Sequence, residues 1–560
     1  MVRKILGRIT APIRGLHQAA YLLAALTLAS QALALLRDRT FAHMFGAGPV
    51  LDLYYSAFRV PDLVFALLSS LVSAYILIPR ITGMPRAEVS EFLSEAASFL
   101  LIAGGFLCFV LALFMPHLLF LIYPEFAHSP YRAGFILLAR LLLLQPILLG
   151  LSGVLGSVTQ VERQFLLFAL APVLYNLGII FGTLVLYPRL GLPGIGYGVI
   201  IGALLYVATN VPSLIRAGVR LRFTVPRWRT ILPVVRDSVP RSLAIGMDSF
   251  TLLFLTALAA RLGSGSVSVF TLAGNLENVP LALVGASYAV AAFPALSAAS
   301  SPERRGEFVR VLSSSARHII LWSMVFLGLI VVLRAYLVRV ILGTGAFDWN
   351  ATRLTAALLA LFTAGLVAQG LVLLFSRALY AIKQSWRPFL YQLGAALFTA
   401  AIALGFIALN HSGNGAFTTW LAGWLHVGDD VPDTLVLTLA LSATLGEFFL
   451  AAWSLVALHK AAPSLSHSLT RPLLSGAVAA VTSGAAAYGV LALLGAIAPL
   501  TRTLVVFAHG FAAGTIGIFV AALTLWSMKN EEFRDIVGAL ARIARTRRVL
   551  QPSAEEPLQP

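Results

Sequence analysis

Long apolar runs separated by short polar segments dominate this 560-residue chain. Each run holds roughly 20 residues or more, enough for an α-helix to cross a hydrocarbon layer about 30 Å thick. Helices are expected because an open sheet leaves its backbone unsatisfied in lipid, and barrel strands would alternate in polarity. The runs predict an all-α polytopic membrane protein with fourteen spans, near residues 19–45, 50–79, 94–122, 132–158, 164–187, 192–214, 238–261, 265–298, 316–342, 353–381, 388–409, 434–459, 471–497 and 502–527.

The composition supports the membrane interpretation. Hydrophobic residues make up 59% of the chain and charged residues 11%, whereas soluble domains average about 25% charged. A net charge of +17 would indicate nucleic acid in a soluble protein. Here the basic residues cluster in alternate loops, so we expect membrane topology and no nucleic-acid partner. The single cysteine, Cys108, lies in an apolar run and forms neither an intrachain disulfide nor a metal site.

The basic residues also predict orientation. They concentrate before the first run and after each even-numbered run, most densely in the segment 216–241 and in the tail from Lys529. The opposite loop at 410–433 has no Lys or Arg and carries Asp429, Asp430 and Asp433. Because cytoplasmic loops are enriched in Lys and Arg, both termini are expected in the cytoplasm.

A sequence motif that occurs twice suggests two related halves. Phe45-Gly46-Ala47-Gly48 followed by Val60-Pro61 is matched six spans later by Leu262-Gly263-Ser264-Gly265 followed by Val279-Pro280. An even number of spans separates the copies, which is typical of a parallel repeat; chance recurrence in a glycine-rich chain is the alternative. We expect two six-helix lobes at 1–215 and 238–460, a basic linker at 216–237, two extra helices at 461–528, and a tail at 529–560.

The first two runs carry charges where a span should have almost none: Arg37, Asp38, Asp52 and Arg59. Each ionisable group in hydrocarbon costs roughly 2.5–3.5 kcal/mol on insertion scales, so such groups usually face a polar cavity or ligand. An arginine there offers a planar fork of donors that fits phosphate or carboxylate. The alternative is mutual ion pairing, such as Arg37 with Asp52.

A lone carboxylate, Asp248, lies in the seventh run. An intramembrane carboxylate of this kind suits a Na⁺ or H⁺ site; capping by Ser249 or pairing with a neighbouring helix is the alternative. The chain has no P-loop, Cys/His cluster or nucleophile elbow. We therefore expect a transporter rather than an enzyme, with no metal and no cofactor beyond a coupling Na⁺ or H⁺.

Several motifs resemble the MurJ/MviN family of lipid II flippases. They are Leu36-Arg37-Asp38, Phe45-Gly46-Ala47-Gly48, Ala57-Phe58-Arg59-Val60-Pro61-Asp62, Gly343-Thr344-Gly345-Ala346-Phe347, and Ser376-Arg377-Ala378-Leu379-Tyr380-Ala381 with Trp386-Arg387-Pro388. The chain departs from the family at three places. Ser30-Gln31 stands where Ser-Arg is usual, and Gly274-Asn275 stands where the eighth helix usually carries Asp-Arg. A basic pair usually follows Pro-Asn-Leu, and this chain reads Asp62-Leu63-Val64-Phe65-Ala66.

The resemblance implies a divergent member of the multidrug/oligosaccharidyl-lipid/polysaccharide exporter superfamily. Its two lobes would open alternately and carry lipid II, or a similar undecaprenyl-diphosphate-linked substrate, from the inner to the outer leaflet of the bacterial inner membrane. Arg37 would contact the diphosphate, oriented by Asp38 and Asp52, with Arg59 and Asn275 completing the site. The helices of 461–528 would form a groove for the lipid tail, and the protein would act as a monomer.

Three alternatives stay open on sequence alone. The cargo is another polyprenyl-linked oligosaccharide, or it is a drug-like cation, for which carboxylates would suit the cavity better than Arg37. The third alternative is a membrane scaffold for envelope synthesis that transports nothing.

Overall fold

The computed structural model describes residues 16–69, 74–413, 415–428, 430–495 and 502–538, and these residues form helices joined by short turns. No β-strand occurs among them. Asp429 and the tail beyond residue 538 lie outside the described residues. In chain order the helices are α1 (Leu16–Phe45), α2 (Pro49–Ser69), α3 (Ala74–Ile81), α4 (Arg86–Ile122), α5 (Arg132–Val161), α6 (Phe165–Leu190), α7 (Leu192–Ala217), α8 (Trp228–Ala260), α9 (Ser266–Ala298), α10 (Pro302–Ile341), α11 (Trp349–Ala364), α12 (Leu366–Ala381), α13 (Trp386–Ser412), α14 (Ala416–Trp424), α15 (Val436–Leu458), α16 (Leu465–Leu494) and α17 (Thr503–Ser527).

The all-α, multi-pass architecture is confirmed, but the expected count of fourteen spans is not. Eleven helices of the described residues are long and apolar enough to cross a membrane. The pair α11 and α12, bent by 44°, forms a twelfth if it is one span. Helices α1 and α2 coincide with the first two predicted spans but are not among the eleven. Three charged residues, Asp52, Arg59 and Asp62, lower the apolar character of α2.

One compact unit comprises Met1–Val279, Val338–Gly365 and Lys383–Ser454. In it α1 packs on α6, α6 on α7, and α8 on both α2 and α13. The contact of α6 with α7 depends on glycines at four-residue spacing: Gly178 and Gly182 face Gly194, Gly198 and Gly202. Small residues at this spacing let membrane helices approach closely, since no side chain separates the backbones.

The second compact unit comprises Pro280–Leu337, Leu366–Ile382 and Leu455–Pro560. Within it α16 pairs with α17, and Gly328 of α10 lies against the backbone of Ala480 in α16. A helical segment at 531–538 follows α17 and is anchored by Glu532, whose carboxylate lies 3.2 Å from Nε of Arg317. The two lobes predicted from the repeated motif are not tested by this division and stay a prediction.

The basic linker is held along α4 by a ladder of serines. Three serines of α4 lie at four-residue spacing, and each hydroxyl accepts a hydrogen bond from a backbone N–H of an extended segment, at every second residue of that segment. The pairs are Ser90 with Arg220 (3.3 Å), Ser94 with Arg222 (3.0 Å) and Ser98 with Thr224 (3.0 Å). Four helical residues rise about 6.0 Å and two extended residues about 6.6 Å, so the two repeats match.

Candidate functional site

Arg37 and Asp38 of α1 form the centre of a buried polar cluster. The Nε and one terminal nitrogen of Arg37 donate to Oδ1 of Asp38 at 2.9 and 2.8 Å. The other terminal nitrogen of Arg37 donates to Oδ1 of Asn176 at 3.1 Å. Asp38 is 2% exposed, whereas the side chain of Arg37 is 20% exposed. An arginine has five N–H donors, so one N–H on each terminal nitrogen has no acceptor among the described residues.

Two asparagines complete the cluster from other helices. Nδ2 of Asn275, in α9, donates to Oδ2 of Asp38 at 3.1 Å, so both carboxylate oxygens of Asp38 accept bonds. Asn176 in α6 is fixed in turn, because its Nδ2 donates to the carbonyl of Pro172 at 3.1 Å. The guanidinium of Arg37 is therefore held in one orientation by groups that have satisfied their own hydrogen-bonding needs.

Asp52 does not orient Arg37, which corrects one expectation. Its carboxylate accepts bonds from the backbone N–H of Gly265 (2.5 Å) and Ser268 (2.8 Å) and from the Ser268 hydroxyl (2.5 Å). The first N–H groups of a helix lack partners within it, and the N-terminus favours negative charge. Asp52 thus caps the start of α9 from α2. The suggested pairing of Arg37 with Asp52 is also wrong, because Arg37 pairs with Asp38.

Arg59 and Asp62 of α2 line a separate cavity of about 250 Å³. One terminal nitrogen of Arg59 donates to the hydroxyl of Thr271 at 2.9 Å. The side chain is buried, at 7% exposure, and its Nε has no hydrogen-bond partner among the described residues. The other lining residues are Phe65, Ala66, Ile245, Ser249 and Leu252. The cavity is thus mostly apolar, with polar groups at a few places.

Asp248 lies on α8 one residue before Ser249, and its side chain is exposed. No hydrogen bond or ion pair of Asp248 is found within the described part of the chain. Among the described residues no group of three or more His, Cys, Asp or Glu side chains could hold a metal ion. Glu447 of α15 lies near enough to Asp248 for their charges to interact, so a cation there would have at most two such carboxylates, with backbone, hydroxyl or water oxygens as its other ligands.

The structure thus brings together three of the predicted residues, Arg37, Asp38 and Asn275. Arg59 and Asp52, both on α2, bond instead to Thr271 and to the N-terminal end of α9, and Asp248 lies on α8 outside the cluster. Sequence reasoning missed Asn176, although a lone amide inside an apolar run was a usable signal. It had no signal for Thr271, since single hydroxyls are frequent in membrane helices, and it considered Ser249 only as a cap of Asp248.

Comparison with known proteins agrees with this architecture. A family model described as lipid II flippase MurJ matches residues 41–429, more than half of the chain. The lipid II flippase MurJ of Burkholderia cenocepacia is 24% identical over 400 residues, which cover 69% of this chain and 78% of the relative. The probable lipid II flippase MurJ of Rhizobium meliloti is 24% identical over 490 residues, which cover 81% and 90%.

Solved structures show the same fold. A lipid II flippase MurJ in an inward closed conformation superimposes with a TM-score of 0.71 at 19% identity, covering 91% of this chain and all of that one. A multidrug resistance MATE family transporter in an inward-facing conformation gives a TM-score of 0.61 at 15% identity, covering 78% and 96%.

Proposed function

Because the chain belongs to the lipid II flippase MurJ family, we propose that it moves lipid II from the inner to the outer leaflet for cell wall synthesis. The cargo is a polyprenyl-diphosphate-linked precursor of peptidoglycan, and the activity is transport rather than catalysis. The observation that carries the proposal at the level of residues is Arg37. It is fixed by Asp38 and Asn176, yet two of its N–H donors stay free for an anionic ligand.

Arg37 would hold the diphosphate through those two donors. Hydrogen bonds between a guanidinium and an oxyanion are about twice as strong as neutral ones, and the planar fork favours a bidentate contact. Asp38 keeps the guanidinium oriented, and Asn275 supports Asp38 from α9. Lipid II would be carried by alternating access, in which binding and release of the headgroup shift the inward–outward equilibrium.

The driving force we infer is the membrane potential. A potential of 100 mV contributes about 2.3 kcal/mol for each charge that crosses the full field, and the diphosphate is anionic. A cytoplasm-negative potential would therefore favour outward movement. A Na⁺ or H⁺ at Asp248 is the proposed coupling ion, since this carboxylate is exposed on α8 without a partner in the described structure.

The setting we propose is the bacterial inner membrane, with both termini in the cytoplasm and the protein acting as a monomer. Helices α16 and α17 would provide the groove for the lipid tail. Their outward faces carry large apolar side chains such as Val481 and Phe519, 71% and 68% exposed, which suit contact with acyl chains.

Complementation of a strain depleted of its own lipid II flippase tests this function. The chain should restore growth, Arg37→Ala should abolish rescue, and Arg37→Lys should restore it partly because a point charge lacks the bidentate fork. Arg80→Ala is the matched control. Arg80 pairs with Asp237 at 2.9 Å at the protein surface, where an ion pair contributes about 0–1 kcal/mol.

Rescue by Arg37→Ala at normal expression would move the anion site elsewhere. Failure of the unaltered chain to rescue, although inserted in the membrane, would reject lipid II as its cargo.

A further inference from the structure

The cavity beside α2 and α8 is lined by two opposite charges that attract each other without a direct hydrogen bond in the described structure. Arg59 and Asp62 are three residues apart on α2, a spacing that puts their Cβ atoms about 5–6 Å apart on one helix face. Oppositely charged side chains at this spacing commonly pair. Here none of the ion pairs among the described residues joins them, and Arg59 donates to Thr271 instead.

Both charged residues keep hydrogen-bonding capacity that no described residue uses. Nε of Arg59 is buried without a partner in the described structure. Asp62 also lines the cavity, and no hydrogen bond of its carboxylate is found among those residues. Ser249 adds a hydroxyl from α8. Charged groups in a mostly apolar cavity are costly, so two opposite charges that retain unused hydrogen-bonding groups there are explained by a ligand bearing the complementary pair.

The size of the cavity limits what that ligand group is. At ~30 Å³ per water, 250 Å³ corresponds to roughly eight water molecules. That is smaller than the 300–1,000 Å³ typical of sites for drug-sized ligands. It is too small for a disaccharide and large enough for an amino acid or the end of a short peptide. The apolar lining from Phe65, Ile245 and Leu252 suits an aliphatic side chain.

We propose that this cavity binds a zwitterionic amino-acid or peptide group of the cargo headgroup. Its ammonium would be accepted by Asp62 and Ser249, and its carboxylate would receive N–H groups of the terminal nitrogens of Arg59 that are not used for Thr271. The cavity would thus bind the peptide part of the headgroup, while Arg37 binds the diphosphate. The inference rests on the proposed function for the identity of the cargo, but binding of the zwitterion is measurable without transport.

The first experiment measures binding to the purified full-length protein by isothermal titration calorimetry. The probes are the dipeptide alanyl-alanine, its N-acetyl form and its C-terminal amide. Loss of a hydrogen bond to a charged group weakens binding roughly tenfold or more. Each blocked probe should therefore bind at least tenfold more weakly than the free dipeptide.

Asp62→Asn should lose the preference for the free amine and keep the preference for the free carboxylate, whereas Asp62→Glu should retain both. Asp237→Asn is the control, because it also removes one carboxylate but lies at the surface with 61% side-chain exposure. Equal binding of the three probes, no binding of any of them, or an amine preference that persists in Asp62→Asn would overturn the proposal.

The second experiment measures transport in proteoliposomes, with lipid II whose free amines are intact or acetylated. Acetylation and Asp62→Asn should each slow transport about tenfold, and together no more than either alone, since both remove one interaction. Multiplying effects would refute a contact between Asp62 and the amine. If dipeptides bind as expected but lipid II is not transported by the unaltered protein, the cargo assignment fails and the cavity assignment stands.

Discussion

Replacing Gly202 by alanine should loosen the cluster around Arg37 without touching it. Gly202 of α7 packs against the backbone of α6, and a Cβ added there would lie 2.6 Å from the carbonyl oxygen of Tyr175. Cβ atoms essentially never come within 3.0 Å of another heavy atom. Helices α6 and α7 must therefore move apart by at least the difference between 2.6 and 3.0 Å. Overpacking of this kind costs typically about 1–3 kcal/mol.

The displacement matters because the next residue of α6 is Asn176. The bond from Arg37 to Asn176 is 3.1 Å long, and hydrogen bonds are lost beyond about 3.5 Å. The new Cβ requires a shift of at least 0.4 Å (from 2.6 to 3.0 Å), which along this bond would stretch it to the 3.5 Å limit and weaken it. Arg37 would keep Asp38 as a partner but lose its fixed orientation. We expect a lower melting temperature together with partial loss of complementation.

The assay combines thermal unfolding of the detergent-purified protein with complementation at matched expression. Gly105→Ala is the control, because Gly105 is also helical and a Cβ there meets nothing within 4 Å. It should be neutral or slightly stabilising, since alanine favours helix over glycine by about 1 kcal/mol. If Gly202→Ala is as stable and as active as Gly105→Ala, the close contact of α6 with α7 does not position Asn176.

Three further predictions concern separate parts of the chain. Ser94→Ala should remove the 3.0 Å bond to the Arg222 N–H, at a cost of about 0.5–1.5 kcal/mol, and speed amide exchange of that segment in hydrogen–deuterium mass spectrometry. The side-chain hydrogen bond from Arg353 lowers the pKa of Asp430 in the folded protein below its ordinary 3.8. The Arg353–Asp430 contact therefore stabilises the fold fully above pH 3.8, and this stabilisation is lost as the pH falls through the pKa of Asp430 in the folded protein. Proteolysis of the 415–428 segment should therefore accelerate below about pH 4 in the unaltered protein, and Asp430→Asn should remove this dependence. Asp248→Asn should abolish any dependence of transport on Na⁺ or pH gradients while leaving membrane insertion normal, and unchanged ion dependence would exclude Asp248 as the coupling site.

The helices could be located from the sequence because membrane helices satisfy their own backbones. The runs near 132–158 and 265–298 correspond to Arg132–Val161 and Ser266–Ala298, with ends differing by a few residues. Hydrophobicity and length suffice for that prediction. The number of spans was less predictable, since the charged residues of α2 reduce its apolar character.

Side-chain partners were harder to predict. Asp52 was expected beside Arg37, but its partners are backbone groups of Gly265 and Ser268, more than two hundred residues away. Such contacts depend on how helices pack, which hydrophobicity does not report. Asp38 was expected to orient Arg37, and it does so although neighbouring residues on a helix point in different directions, because the arginine side chain is long enough to turn back.

The charged residues near the membrane differ in how much hydrogen-bonding capacity they have left. The carboxylate of Asp52 caps the start of α9, and Arg39 donates to the carbonyls of Val340 and Ile341 at the end of α10. Both side chains therefore satisfy backbone groups at helix ends. Arg37 and Arg59 each retain donors that no described residue accepts. Since every charge in a membrane protein is costly, those kept with unused donors are the ones most readily explained by a ligand. Charge alone predicted where the polar residues lie, and the remaining donors distinguish those that we propose contact the cargo.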